Sequence, residues 1–458
     1  MALNALETLK TLVRFPSVST DPTRKAALLD TKDFLVDTLA GMGFATETLE
    51  TQGHPIVLAE RKVAETAPTV VIYGHYDVQP EDPVQLWESA PFEPTVKGDR
   101  IYGRGAADNK GPVAVLLAAV SHLLEQQPSL PLNLTFLLEG EEEIGSPSFK
   151  PVLDRLKHRL RGDFLLACDT GSQKNDQIVV TAGLRGITCL EFKVKGARKD
   201  LHSGIYGGAV LNPIKALMDI CHSLHNADGT VNVPGFYDDV LPVQQWERDE
   251  LEKLGLDLDA FQDFLGVPGF FEQAGLSPLE ATRYAPTLEY NGVWGGYQGE
   301  GSKTVIPCEA SVKISCRLVA RQDPDKIQDL VIQAIRERCP KGVSLEIKKD
   351  HNGAAYLVVP PGKPNTATDL NPVLARAFHL TDALSAECFG KPAVFMREGG
   401  SIPIIHDIKE ILGLDSLLIG LYLPEDGYHA PNESFSLEMM EKGQQMIERL
   451  LAGLCESE

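Results

Sequence analysis

Five short stretches place histidine or acidic side chains just past apolar runs, where an α/β sheet collects its ligands. They are Gly74-His75-Tyr76-Asp77, Gly103-Arg104-Gly105-Ala106-Ala107-Asp108, Glu141-Glu142-Glu143-Ile144-Gly145-Ser146, Cys168-Asp169-Thr170 and Gly427-Tyr428-His429. His, Asp and Glu converging on one crevice form the ligand set of divalent zinc or manganese, so two-metal hydrolysis is the chemistry expected. His75 and Asp77 lie two apart, on one face of an extended segment. Asp77 can therefore hold the ring of a metal-bound His75. Asp108 follows a glycine-rich turn and precedes a helical pattern, and can serve there as a helix cap or as a ligand. The three consecutive carboxylates Glu141, Glu142 and Glu143 repel one another. A cation would relieve one of them, and a neighbour held just off the metal can act as a base. Asp169 and His429 sit in unspecific segments and complete the count for two metals. Cys168 reads as a small buried residue ending a strand rather than as a nucleophile.

The elements that must carry these groups follow from periodicity. Buried parallel strands are predicted at 69–73, in the run up to Gly103, and at 132–138, 164–167 and 417–423, with another strand at 57–60. Helices are predicted at 30–42 and 112–126. Such alternation gives an α/β fold, a mostly parallel sheet with helices on both faces. The pattern changes near Leu184. Strands at 186–196, 312–319 and 343–348 and helices at 211–224 and 325–339 suggest the β-α-β-β-α-β order of an α+β ferredoxin-like domain. An irregular stretch near 228–292 reads as an insertion, and the proline-rich 360–364 as a hinge. The domains expected are thus 1–183 with 365–458, and a smaller one, 184–364, inserted between them.

Composition narrows the function class. A chain of 458 residues is long for one core, so two domains are the default. Hydrophobic content of 43% and charged content of 23% are those of a soluble globular protein. A net charge of -21 argues against nucleic acid as a partner, since phosphates need a basic footprint. The first residues form an amphipathic helix rather than a signal peptide, and no apolar run spans a bilayer, so no membrane is expected. Eight scattered cysteines without a CxxC pair suit reduced thiols in a cytoplasm.

Taken together the motifs resemble the M20 family of co-catalytic metallopeptidases, in particular its cytosolic nonspecific dipeptidase and carnosinase branch. The resemblance spans nearly the whole chain. It rests on Gly74-His75-Tyr76-Asp77-Val78-Gln79-Pro80, Lys199-Asp200-Leu201-His202-Ser203-Gly204, Lys303-Thr304-Val305-Ile306-Pro307 and Arg397-Glu398-Gly399-Gly400-Ser401-Ile402-Pro403. It implies a zinc-exopeptidase-like catalytic domain and an inserted lid and dimerisation domain. It implies two divalent metal ions per subunit, zinc first and manganese or cobalt as alternatives. Asp108 would bridge them, His75 and Asp169 completing one metal and Glu143 and His429 the other. Glu142 would be the general base toward a metal-bridging water, and Asp77 the orienter of His75. The peptide after the bridging aspartate would be cis. His202 would reach a partner subunit's site in a homodimer, Arg317 would hold the carboxylate of a small peptide substrate, and Thr304, Gly400 and Ser401 would contact that substrate. The branch carries a further histidine where this chain has Asp369-Leu370-Asn371-Pro372; the next one downstream, His379, is expected to be packed in a helix. The competing readings are an N-acyl amino acid amidohydrolase of the same family and a catalytically inactive binding protein on the same fold.

Overall fold

A computed structural model of the chain describes residues 2–456 except 272 and 274. Its frame is a nine-stranded sheet. The strand order is Ala45–Leu49, Ile56–Arg61, Asn133–Glu139, Thr69–His75, Phe164–Gly171, Ser416–Tyr422, Val179–Leu184 and Tyr356–Leu357, with Val394–Glu398 also paired to Val179–Leu184. Strands from the start and the end of the chain thus build one sheet. The expectation of a mostly parallel sheet needs correction, because the sheet is mixed. Its central ladders are parallel, as is that of Val394–Glu398. The remaining ladders are antiparallel. Connection length explains the difference. Residues 50–55 join two sheet neighbours and are too short for the crossover that a parallel neighbour requires, and the short 172–178 reverses the chain between two strands separated by Ser416–Tyr422.

Helices cover both faces. On strand Thr69–His75 the neighbours Tyr73 and Gly74 point to opposite sides. The Tyr73 ring meets Phe149 of helix Phe149–Leu156 at 5.9 Å, while the Gly74 site faces Val113 of helix Lys110–Gln126. Strands Asn133–Glu139 and Ser416–Tyr422 are buried at every position, as fully covered strands must be. Among the described residues no helix is long and apolar enough to cross a membrane.

The run up to Gly103 is a second correction. Arg100–Tyr102 lies outside the central sheet and pairs antiparallel with Thr95–Lys97 and Ser434–Ser436 in a small sheet of its own. It nevertheless anchors the Asp108 loop beside the segment that carries His429.

Residues 186–353 build a four-stranded antiparallel sheet in the order Thr287–Gly295, Glu309–Leu318, Gly186–Lys195, Ser344–Gly353. Helices Pro213–Ser223 and Pro324–Glu337 pack on it, burying Leu217, Ile220, Val331 and Ile335 against Phe192, Val312 and Ile314. Asp323 caps the second of these helices by accepting from Asp325 and Lys326. The strand Thr287–Gly295 begins inside the stretch read as irregular. It is an edge strand with a bulge at Asn291, and Leu288 is its one buried residue, so it carries little alternation to read. The stretch before it also contains the helices Gln245–Lys253, Leu258–Leu265 and Pro278–Tyr284. The first of these docks on strand Val394–Glu398, where Glu247 pairs with Arg397 at 2.6 Å and Glu250 accepts from the Phe395 N–H.

Candidate metal centre

At the carboxyl end of strand Thr69–His75 the fully buried His75 points its Nε2 at Asp108, 3.1 Å from Oδ1. The same nitrogen is 3.7 Å from Asp169 Oδ1, on strand Phe164–Gly171. Across the cluster, His429 Nε2 lies 3.0 Å from Asp108 Oδ2 and 3.3 Å from Glu143 Oε2. Asp108 therefore belongs to two triads, His75-Asp108-Asp169 and Asp108-Glu143-His429. In each, ligand atoms of all three residues lie within 4.8 Å of one another. Imidazole nitrogens and carboxylate oxygens so grouped fit a divalent ion in each triad.

Local backbone explains the convergence. Asp108 ends a turn in which Gly105 has φ 83, and the Asp108–Asn109 peptide is cis. A side chain at Gly111 would meet Ala106 O at 2.1 Å, so this glycine lets the turn close onto the helix behind it. Asp108 is not the helix cap; that position falls to Asn109, which makes no side-chain cap bond. His429 sits at φ 63, a left-handed conformation uncommon outside glycine, where it faces Asp108.

The acidic run divides three ways. Glu141 is buried and accepts from the N–H groups of His54 and Ser148, at 2.9 and 3.0 Å. Glu143 faces His429 and also accepts from Gln79 Nε2 at 2.8 Å. Glu142 is left with its carboxyl beside the cluster. Burial pushes it well above the ordinary carboxylate range, with Asp169, Asp108 and Glu143 adding to the rise and His75 opposing it. Asp77 lies 3.4 Å from His75 Nδ1 and accepts from the N–H groups of Glu142 and Glu143 at 3.2 and 3.1 Å. It thus ties the histidine to the acidic turn.

The remaining site residues fall into two other groups. Arg317 donates to Ser401 Oγ at 2.8 Å, and Gly400 O accepts from Arg185 N at 3.0 Å. Arg185 and Arg317 line a cleft of about 720 Å³. The Tyr428 ring lies 5.6 Å from that of Tyr422 and 6.0 Å from that of His429, and burial, with Glu398 and Asp108 adding to it, raises its hydroxyl. His202 and Thr304 form a separate, exposed pair of segments, Leu201–His202 laddered with Val305–Ile306. His202 Nδ1 accepts from Gly204 N at 3.0 Å, and within one chain neither residue bonds to the cluster, among the described residues. His379 is exposed on helix Pro372–Phe389 rather than packed, because its place on the helix turns it to the outer face. Cys168 is buried, which raises its thiol and makes it inert.

Residues 71–453 match the model of peptidase family M20/M25/M40. The chain belongs to this family. It is 31% identical over 390 residues to the Beta-Ala-His dipeptidase of Homo sapiens, covering 83% of this chain and 74% of that protein. It is 30% identical over 454 residues to a Cys-Gly metallodipeptidase of Candida albicans, with 94% and 90% covered. Among solved structures it is similar to an M20 family metallo-carboxypeptidase from Sulfolobus solfataricus, at a TM-score of 0.86 and 30% identity over 99% of each chain. Human carnosine dipeptidase gives 0.80 at 27% identity, covering 98% of this chain and 96% of that one. The chain is therefore a hydrolase of the M20 metallopeptidase type, on a mixed α/β fold.

The structure of this M20 peptidase also shows groups that the sequence reading leaves unassigned. Asn109 donates to Asp169 Oδ1 at 2.8 Å and to Tyr422 Oη at 2.6 Å, and the Tyr422 hydroxyl bonds Asp169 in turn. Gln79 belongs to a motif already singled out, so its place near His75 was the available signal. Tyr422 is hidden in an apolar strand and offers none.

Bonds from Asp108 and Glu143 raise the His429 ring to about 10. For His75, burial works against the proton, and bonds to Asp108, Asp169 and Asp77 overcome it. Burial likewise pushes Asp108 up, and the two histidines more than reverse that. The His429 contribution to the metal-free fold is complete below an imidazole pKa of about 6.5. It is lost as the pH rises through about 10. A histidine must shed its proton to bind a metal. Cation affinity is therefore expected to rise across this window while metal-free thermal stability falls. Metal titrations and melting curves at stepped pH check both, and an affinity independent of pH would contradict them.

Proposed function

We propose that the chain hydrolyses the peptide bond of dipeptides or short peptides with two divalent cations, held by His75 and Asp169 on one side and Glu143 and His429 on the other, with Asp108 between. One observation carries this reading. Asp108 presents one oxygen to each histidine, at 3.1 and 3.0 Å, the disposition of a bridging ligand. When bound, such a cation pair (zinc, with manganese and cobalt as alternatives) would polarise the scissile carbonyl and acidify the attacking water. Glu142 accepts the proton of that water and passes it to the leaving amine, a role suited to a carboxyl whose basicity burial has raised. Asp77 holds His75 and the Glu142 turn in one geometry. The Arg317 guanidinium, steadied by Ser401, takes the substrate carboxylate with its other donors. Gly400 and Thr304 are proposed to contact the substrate, Thr304 together with the segment that carries His202.

Residues 186–353, within the 184–364 expected, are proposed as the lid and dimerisation domain. Because Tyr356–Leu357 pairs with Val179–Leu184 in the central sheet, the hinge is placed before residue 356 and not at 360–364, and 356–364 join the catalytic body of 1–183 and 365–458. His202 of the partner subunit then stabilises the oxyanion. Its exposure supports this, as do the neighbouring Ile205 and Tyr206, 69% and 44% exposed. The eight unpaired cysteines suit a reducing cytoplasm. His202→Ala is expected to lower kcat by about 10²–10³ without changing metal content or melting temperature. Full activity in a strictly monomeric form would contradict the role across subunits.

The reading is tested by a panel of dipeptides against N-acyl amino acids on the metal-loaded protein. Dipeptides are expected to turn over faster. Faster cleavage of the acyl compounds would instead favour an amidohydrolase.

A further inference from the structure

Glu433 stands four residues beyond His429, is fully buried, and has no part in the chemistry above. Its carboxylate is saturated by donors from the Asp108 loop. Oε1 accepts from the N–H groups of Ala107 and Asp108 at 2.9 and 3.0 Å. Oε2 accepts from Gly105 N at 2.9 Å and Arg104 Nη1 at 2.8 Å. Its carbonyl oxygen takes Gly103 N at 2.9 Å. The main-chain donors of Gly103, Gly105, Ala107 and Asp108 thus all end on one residue of the His429 segment. Arg104 is itself buried, donates to Pro80 O at 3.0 Å and lies over the Trp87 ring.

Burying an ion pair of this kind gives little stability that apolar packing would not give equally. What it supplies is geometry. The Asp108 side chain meets both histidines while its own N–H is fixed from behind. The fixing group belongs to the segment that carries one of those histidines. We infer that Glu433 is a positioning residue, which sets the Asp108 carboxylate before any cation arrives and makes the Asp108 and His429 segments move as one unit. This rests on the two-cation reading above.

The experiment is a calorimetric titration of metal-free wild-type protein and Glu433→Gln with manganese. It is combined with amide hydrogen exchange over 103–108 without metal. The amide of Gln would turn an NH₂ group toward donors that need an acceptor. The expected result is two cations bound by wild type and an affinity at least about tenfold weaker in the variant, since groups that orient metal ligands carry effects of that size. Residues 103–108 should exchange slowly in metal-free wild type and quickly in Glu433→Gln. A folded Glu433→Gln that binds both cations with wild-type affinity overturns the inference. So does a metal-free wild type in which 103–108 exchange freely and become protected on adding metal. That second measurement needs no variant, so it holds even if Glu433→Gln does not fold. A wild type that takes up no pair of cations overturns the hydrolase reading and this inference together.

Discussion

Glu142→Gln is expected to keep both cations and to lose a factor of about 10²–10⁴ in kcat on a dipeptide, the range that general base catalysis supplies. The Glu142 carboxyl bonds no member of either triad among the described residues, and its N–H, which the substitution leaves in place, is what Asp77 holds. The fold of the turn and the ligand set therefore survive. An amide of the same shape cannot accept the proton of the attacking water, so the loss falls on kcat rather than on KM. Metal content measured beside kcat separates the two effects. Turnover within a few-fold of wild type would remove Glu142 from the chemistry.

Asp108→Ala is expected to be more damaging. Each triad loses a carboxylate, because the residue is common to both. His75 and His429 also lose the partner that fixes their Nε2 atoms. Fewer than one cation per chain should remain after gel filtration, with activity at background. Asp169→Ala makes the contrast, since Asp169 belongs to one triad and its loss should weaken a single cation. An Asp108→Ala protein that holds two cations as tightly as wild type would show that the carboxylate does not bridge.

The residues that meet in the cluster were legible in the sequence because they sit at the ends of long apolar runs, whose burial on both faces leaves a clear signal. Thr69–His75 and Asn133–Glu139 are of this kind. The run before Gly103 has the same look over a few residues, and there length misleads: Arg100–Tyr102 is a three-residue edge piece of a separate sheet. The strand Thr287–Gly295 failed for the opposite reason, being an edge strand with exposed side chains. Sheet direction was misread because it depends on loop length as well as on strand content. Glu433 lies four residues past the Gly427-Tyr428-His429 motif, yet most of its partners are backbone N–H groups 325 or more residues away in the chain, and backbone donors leave no mark in a sequence. Tyr422 illustrates the same limit, as an aromatic residue in a buried strand whose hydroxyl reaches the acidic cluster.

Anomalous diffraction from crystals soaked in manganese or zinc tests the shared carboxylate most directly. Two peaks per chain are expected, about 3.5–4 Å apart. One should contact His75 and Asp169, the other Glu143 and His429, with an Asp108 oxygen on each. A single peak, or a pair that leaves Asp108 uncoordinated, would contradict the account.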